Sequence, residues 1–532
     1  MMIDLAALLQ KCEPWRRLAR WLIHLKAEQI AWRAYLRLQR LVLSLPKGRP
    51  LAPLRAPHDS WPGDAENGRR IQAGSIRLLH LDQILGSPVD WRPADKSALW
   101  RFTLHYFDWL GDLRAAGDAP TARRLVLDWI KAHPKPKSEA WHAYPLSLRL
   151  FAWLRHAPFL LENCDADFRE AFLSSLDQHA IYLPWFLERD VGGNHLIKNL
   201  KAQVAAALCL PAHAVWLEPA LAELRKELAL QILPDGFHFE RSPSYHLQVL
   251  IDLLDLQELL AQAKRSEAWL DATIALMGPA LATLRHPDGG LALFNDGEVG
   301  DPRLLAGLDA RLGPQTPKMM LPKAGYARLE AGGMVAIFDA GPCCPDHLTA
   351  HAHADALSFE FSIGRQRVIV NSGTFAYQDA AWRNRLRGTA AHSTIEVKGE
   401  DSAELFGVFR IGRRPRNVEL AQEGGWLVGR HDGYRHLGII HERKLRLTEN
   451  GLEGQDRLIG PPVPAKLRFH VHPESPKAGP IGLGIEGKKL TESPGVWSPF
   501  FHVRMEARTF SADLAGGDPP VTWQIVKGSG AR

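Results

Sequence analysis

Four residues of one stretch have the types and spacing to hold a metal ion or move a proton. His351 and His353 stand two apart in HAHADALSFEFSI, Asn371 closes RVIVN, and His392 precedes STIEVKG. Imidazole is the commonest protein metal ligand and titrates near neutrality. Two histidines joined by a third form a donor set of the kind zinc prefers. In a strand, residues i and i+2 face the same side. An extended reading therefore places His351 and His353 side by side at the mouth of a hairpin turned at Gly364. Asn371 leaves that hairpin and His392 opens the next strand, so three imidazoles and one amide are expected to converge.

Three further segments carry chemistry-bearing side chains. In VGGNHLIKN, Gly192 and Gly193 allow a tight turn and Asn194 is a candidate helix cap. Ile197, Leu200, Val204 and Leu208 form the buried face of that helix, leaving Asn194, His195 and Lys198 near its open end. In PDGFHFERSPSYHLQVL, Ser242 reads as the N-cap and Pro243 as the first helical residue. Tyr245 then lies in the first turn, where the helix dipole favours negative charge, with Glu240 and His246 close by. In AWHAYPLSLRLFAW, Trp141 and Tyr144 offer aromatic faces for sugar rings, and Arg149 is placed to meet an anion. FNDGE adds Asp296 and Glu298, although no spacing argument pairs them. Taken singly, each of these residues is equally at home in a core or on a surface.

The elements that position these residues fall into two classes. Residues 97–315 hold about eight stretches with apolar residues at helical spacing, joined by short loops, as in a bundle or an α/α toroid. Beyond about residue 313 the helical period disappears. Short alternating segments bounded by Gly, Asn or Pro follow, the pattern of an antiparallel β-sandwich over 316–532. The expected boundary lies between residues 313 and 326, and a cleft between two such domains is the default location for a site. Residues 51–96 read as a linker with short strands near residue 76 and in the VDW before Arg92.

The 532 residues carry 46% hydrophobic and 23% charged side chains, as expected of a globular chain of more than one domain. The five cysteines show no CxxC spacing, which supports neither a thiolate zinc site nor a disulfide framework. The net charge is +6, and residues 1–50 hold ten Lys/Arg against three acidic residues, so the arm is +7 and the remainder −1. A local excess of this kind gives no reason to expect nucleic acid as a partner. The arm reads as a basic amphipathic helix that packs on the body or touches a membrane surface. It has no signal-peptide pattern, and no apolar run is long enough to span a bilayer. A second basic run, from Arg383 to Arg416, is expected at the rim of the cleft. Nothing in the pattern fixes an oligomeric state.

GGNHLIKN, DGFHFERSPSYH, HAHADALSFE, NSGTFAY and RGTAAHST, in this order, resemble the heparinase II/III-like polysaccharide lyases. The resemblance runs from about residue 75 to 475. It implies an N-terminal incomplete (α/α) toroid followed by a C-terminal antiparallel β-sandwich. It also implies β-elimination at a 4-linked uronic acid in an acidic polysaccharide. In that chemistry the uronate carboxylate must be neutralised, a base must take the C5 proton, and an acid must protonate the leaving oxygen. The resemblance assigns carboxylate binding to Asn194, helped by His195 or His351. It makes Tyr245 base, acid or both, and His351 the partner base. Trp141, Tyr144, Arg149, Lys198, Glu240 and Arg387 are candidate substrate-binding residues. His353, Asn371 and His392 are the candidate ligands of one structural divalent metal, zinc first; no organic cofactor is implied. The family usually has Asp where this chain has Asn371, and an amide oxygen is the poorer zinc ligand, so recruitment of Asp355 is an alternative. A polysaccharide substrate suggests the periplasm or cell envelope; without export the location is the cytoplasm.

Two other functions stay open on the sequence. An α/α-toroid glycoside hydrolase would need a carboxylate pair, such as Glu240 with Asp296. A non-catalytic polyanion-binding protein would need only the cleft.

Overall fold

The computed structural model describes residues 5–475 and 481–527, with side chains from residue 14 onward. It has the two expected layers: helices first, then antiparallel sheets. Ten α-helices lie between Ala98–Leu104 and Pro302–Leu312 among the described residues. The stretch read as one helix from residue 97 breaks at Phe107, which has φ 63°, into Ala98–Leu104 and Leu110–Ala115. Gly193–Cys209 is the central helix, buried along nearly its whole length against Ala143–Leu161, Leu217–Gln231 and Pro243–Gln262. Trp100, Trp129, Trp153, Leu200 and Leu250 are fully buried in this first core.

The helical domain ends at Gly313, whose φ of 68° terminates Pro302–Leu312, and the sandwich begins at Met320–Leu321. One sheet runs Thr491–Trp497, Met505–Ala515, Pro464–Val471, Gln366–Ile369, Phe359–Ile363, Met334–Asp339, Tyr326–Ala331 and Met320–Leu321, with Ile395–Val397 also paired to Pro464–Val471. The other runs Val418–Glu423, Trp426–His431, Ile440–Thr448, Gly451–Ile459, Val521–Lys527 and Ile481–Ile485. The turn at residues 332–333 needs φ of 58° and 74°, which two glycines supply without strain. Between the sheets, Trp523 stacks on Phe359 at 5.2 Å, with Phe469 at its edge at 5.0 Å. Gly454 faces that indole: a Cβ there would stand 2.0 Å from Trp523.

A buried charged cluster connects this core to the loops above it. Asp456 accepts from His441 Nε2 at 2.7 Å, Arg443 Nε at 2.9 Å and Trp523 Nε1 at 2.7 Å. Arg443 in turn donates to the Leu357 carbonyl at 2.7 Å and the Ser393 carbonyl at 2.6 Å. Those carbonyls belong to the two loops that carry His353 and His392.

Three expectations need correction. His351 and His353 lie in an irregular loop, because strand pairing starts only at Phe359. Asn295 Oδ1 holds the His353 amide at 2.9 Å in place of a neighbouring strand. The 51–96 segment contains the helix Ala65–Gln72, capped by the Asp64 carboxylate, and the hairpin Ser75–Leu78 with Leu81–Ile84; VDW forms no strand, and Trp91 packs on Phe107 at 5.8 Å. The arm is two helices, Leu5–Leu22 and Ala27–Val42, and it docks on the body through Arg20 with Glu404 and Gln29 with Asp190. No helix among the described residues is long and apolar enough to cross a membrane.

Removal of Asp456 leaves the Arg443 guanidinium buried without its carboxylate. Asp456→Ala is expected to cost about 3–5 kcal/mol in denaturant unfolding. A loss under about 1 kcal/mol would show that the cluster is not what anchors these loops.

Candidate active site

The site forms where the 294–298 loop of the helical domain meets the 349–355 loop of the sandwich. Its centre is Asp296. Its carboxylate accepts from His351 Nδ1 at 3.0 Å, His353 Nε2 at 2.9 Å and Thr374 Oγ1 at 3.3 Å, and forms a two-pronged pair with Arg383. An ionised carboxylate only accepts, so both imidazoles must donate to it and their tautomers are fixed. Burial would raise the Asp296 carboxyl, but Arg383 and the two histidines outweigh it and hold it well below the usual range. The Asp296 amide donates to the His351 carbonyl at 3.1 Å, and Ser242 Oγ donates to the Asp296 carbonyl at 3.1 Å. Ser242 is the N-cap of Pro243–Gln262 by position, yet its hydroxyl serves Asp296 and leaves the helix uncapped.

Tyr245, one turn into that helix, stacks on His351 with ring centres 3.9 Å apart. Its hydroxyl meets the Tyr377 hydroxyl at 2.8 Å, and Tyr377 reaches His351 Nδ1 at 3.4 Å. Burial first, then Tyr377 and Asp296, push the Tyr245 phenol well above its usual range. The lowered value that the helix terminus was expected to supply is therefore absent, and Tyr245 is a neutral phenol. His246, its neighbour, is turned away onto the Met277 carbonyl at 3.0 Å.

On the far side of His351 stands Glu240, whose Oε2 is 3.6 Å from His351 Nε2. Its Oε1 accepts from the Asn194 amide at 2.8 Å and from Asn194 Nδ2 at 3.0 Å. Asn194 is thus one residue inside a helix that starts at Gly193, with Gly192 as its cap. Gly193, at φ 57°, is packed so closely that a Cβ would lie 2.5 Å from Glu240 Oε1. His195 projects beside Asn194, donates to Glu188 at 2.9 Å and packs on Tyr144 at 4.2 Å. Burial would lower the His195 imidazole, but the Glu188 charge outweighs it and raises it above its ordinary value.

Not every candidate reaches this site. Asn194, His195, Tyr245 and His351 line it, with Tyr144 at its edge and Glu240 beneath it as a positioning group. Trp141 and Arg149 are core residues: Arg149 lies over the Trp129 ring at 4.0 Å and donates to His179 at 2.8 Å. Lys198 is neutralised by Asp252 at 2.8 Å. Arg387 is fully buried, donates to the Ala352 carbonyl at 3.3 Å, and is lowered to about 9 by burial and by Arg383. The expected basic rim is split: Arg383, Arg387 and Arg414 are buried, whereas Arg385, Lys398, Arg410 and Arg416 are exposed. The sequence offered Asp296 only as a carboxylate of FNDGE and Arg383 only as part of a basic run, and it did not single out Tyr377. Their chain neighbours carry no spacing signal, because they meet only across the domain boundary.

Behind His353 lies a second group. His353, Asp355 and His392 place ligand atoms within 4.8 Å of one another, all buried. His353 Nε2 is committed to Asp296, and His392 Nδ1 donates to Asn371 Oδ1 at 3.1 Å. That leaves His353 Nδ1, His392 Nε2 and Asp355 Oδ1 buried without a hydrogen-bond partner. Three converging acceptors with no donor fit a divalent cation. Asn371 is not one of the three: its oxygen orients His392, so the amide suffices where a ligand would need a carboxylate.

Residues 80–306 match the family described as Heparinase II/III N-terminus, and residues 313–524 match Heparinase II/III-like, C-terminal. FtsZ-localized protein C of Caulobacter vibrioides is 31% identical over 82% of this chain and 80% of its own length. A heparin-sulfate lyase of Bacteroides stercoris is 22% identical over 74% of this chain and 66% of its own length. The solved structure of heparinase III superposes with a TM-score of 0.73 at 16% identity, covering 94% of this chain and 90% of that one. Its incomplete α/α toroid and antiparallel β-sandwich are the fold found here. With both halves matched in order and across nearly the whole body, the chain belongs to the heparinase II/III-like family.

Proposed function

We propose that the protein is a polysaccharide lyase that cleaves a 4-linked uronic-acid polysaccharide by β-elimination. The observation that carries this reading is the placement of His351. Its Nδ1 is bound to Asp296, so Nε2 keeps the lone pair, and the Tyr245 ring lies against its face. A base oriented by a buried carboxylate, with a neutral phenol beside it, is the acid–base pair elimination requires. The names of the heparin-sulfate lyases among the relatives support the same class of reaction.

In the proposed reaction the uronate carboxylate meets Asn194 and His195. Asn194 Nδ2 has two hydrogens and spends one on Glu240, leaving the other for a substrate oxygen. The His195 imidazolium supplies the positive charge that stabilises the developing dianion at C5–C6. His351 Nε2 takes the C5 proton. The electron pair forms the C4–C5 double bond as the C4–O bond breaks, and Tyr245 donates its proton to the leaving oxygen. Tyr377 connects Tyr245 to the His351–Asp296 pair and offers a route for its reprotonation.

A divalent cation, zinc first, is proposed at His353, Asp355 and His392. When bound it would supply structural bracing to the loop that carries His351. The Glu240–Asp296 pair does not suit a hydrolase: both carboxyls are held below their ordinary values by histidine and, for Asp296, arginine neighbours. A hydrolase needs one carboxyl kept protonated as the acid.

An ultraviolet screen of uronate polymers should find one that yields the 4,5-unsaturated uronate. Release of saturated ends, or binding with no turnover on any polymer, would overturn the reading. On the responsive polymer, Tyr245→Phe is expected to lower kcat by about 100-fold or more, with KM little changed. Asn194→Ala should raise KM and lower kcat together, because it touches the carboxylate before and during the reaction.

The His195 charge also sets a pH limit. Glu188 raises His195 above its ordinary ~6.5, so the imidazolium survives past that pH and is lost only as pH rises further. The alkaline limb of kcat/KM should move to lower pH in Glu188→Gln. An unmoved limb would remove His195 from the carboxylate site.

Metal analysis of chelator-free protein should find about one equivalent of cation. His392→Ala should lose it and also lower the melting temperature. A fully active, metal-free protein with an unchanged melt on zinc addition would rule the cation out.

A further inference from the structure

The helix Ala27–Val42 has two apolar faces where a docked surface helix needs one. The inner face sits on the body: Gln29 and Leu36 are buried, Arg33 lies 3.8 Å from Asp190, and Arg189 covers the Trp32 ring at 4.9 Å. The outer face carries Ile30, Tyr35, Leu38, Leu41 and Val42, close to i, i+3 and i+4 spacing, and all are exposed. Leu41 is 83% and Val42 80% exposed, and Trp15 and Ile23, at the preceding helix, are 72% and 75% exposed. Globular domains turn such a stripe inward, so an outward one marks a surface that something covers.

We propose that this face docks on an anionic lipid bilayer, with the arm lying in the plane of the interface. Charge selects this occupant. Arg16, Lys26, Arg37 and Arg40 are exposed around the stripe, and Glu28 is the one acidic residue between residues 14 and 42. A basic rim around aliphatic side chains matches negative headgroups over an acyl boundary. A second copy would bring two basic rims together, which is unfavourable. An acidic polysaccharide would use the charge but not the Ile, Leu and Val side chains. The arm grips both domains, through Glu404 of the sandwich at 2.8 Å and through Asp190 beside the Asn194 loop. Docking therefore sets the orientation of the cleft relative to the bilayer.

The test is co-sedimentation of the full chain with vesicles of phosphatidylcholine alone or mixed with phosphatidylglycerol. Binding to the anionic vesicles should be ~10-fold or more tighter and should weaken with salt. The triple variant Ile30→Glu, Leu38→Glu, Leu41→Glu should lose that binding with an unchanged melting temperature, because its side chains already face solvent. Arg37→Glu with Arg40→Glu should lose it too while keeping the apolar stripe. Equal binding to both vesicle types, binding to neither, or a dimer in solution that the triple variant dissociates would each overturn the proposal.

Discussion

The structure depends on keeping one carboxylate ionised where water does not reach it. A buried Asp296 is tolerable only because Arg383, His351, His353 and Thr374 all turn their donors toward it. The donors come from three parts of the sandwich, the loop of His351 and His353, Thr374, and the helix Ala380–Arg387, while Asp296 belongs to the last loops of the helical domain. Satisfying that charge therefore docks the two domains. It also fixes the free nitrogen of His351, and through Ser242 it holds the first turn of the Tyr245 helix. Assembly of the site and joining of the domains are the same event.

Glu240 plays the matching part on the other side of His351. It organises the Asn194 turn from below, at a distance from His351 Nε2 that keeps the imidazole between two carboxylates. The cost is one more buried carboxylate, and Gly193 is the local solution, since any side chain there would push Glu240 away.

The cationic residues divide by burial. Arg149, Arg241, Arg383, Arg387 and Arg443 are all fully buried, where they serve carbonyls, carboxylates and rings. The arm, by contrast, leaves most of its charge outside. The basic run beside the histidines is divided in the same way, with Arg383, Arg387 and Arg414 inside and Arg385, Lys398, Arg410 and Arg416 on the surface.

Much of this was readable from the chain. Helical spacing up to residue 312 and alternation after residue 320 mark the two domains, because amphipathic period follows local geometry. The ordered motifs singled out Asn194, His195, Tyr245 and His351, and the fold brings these four to one place. What the sequence could not order was contact across the boundary. It offered Trp141 and Arg149 for the cleft, yet a ring or guanidinium near a loop can face either way, and packing turned both inward. It set Asn371 beside His353 and His392, and the fold turns the Asn371 oxygen to His392 Nδ1 while the Asp355 carboxylate faces the same two imidazoles. It gave no hint that Asp296, Tyr377 and Arg383 belong together, since those residues are up to 87 apart and meet only when a buried charge draws its donors in from both domains.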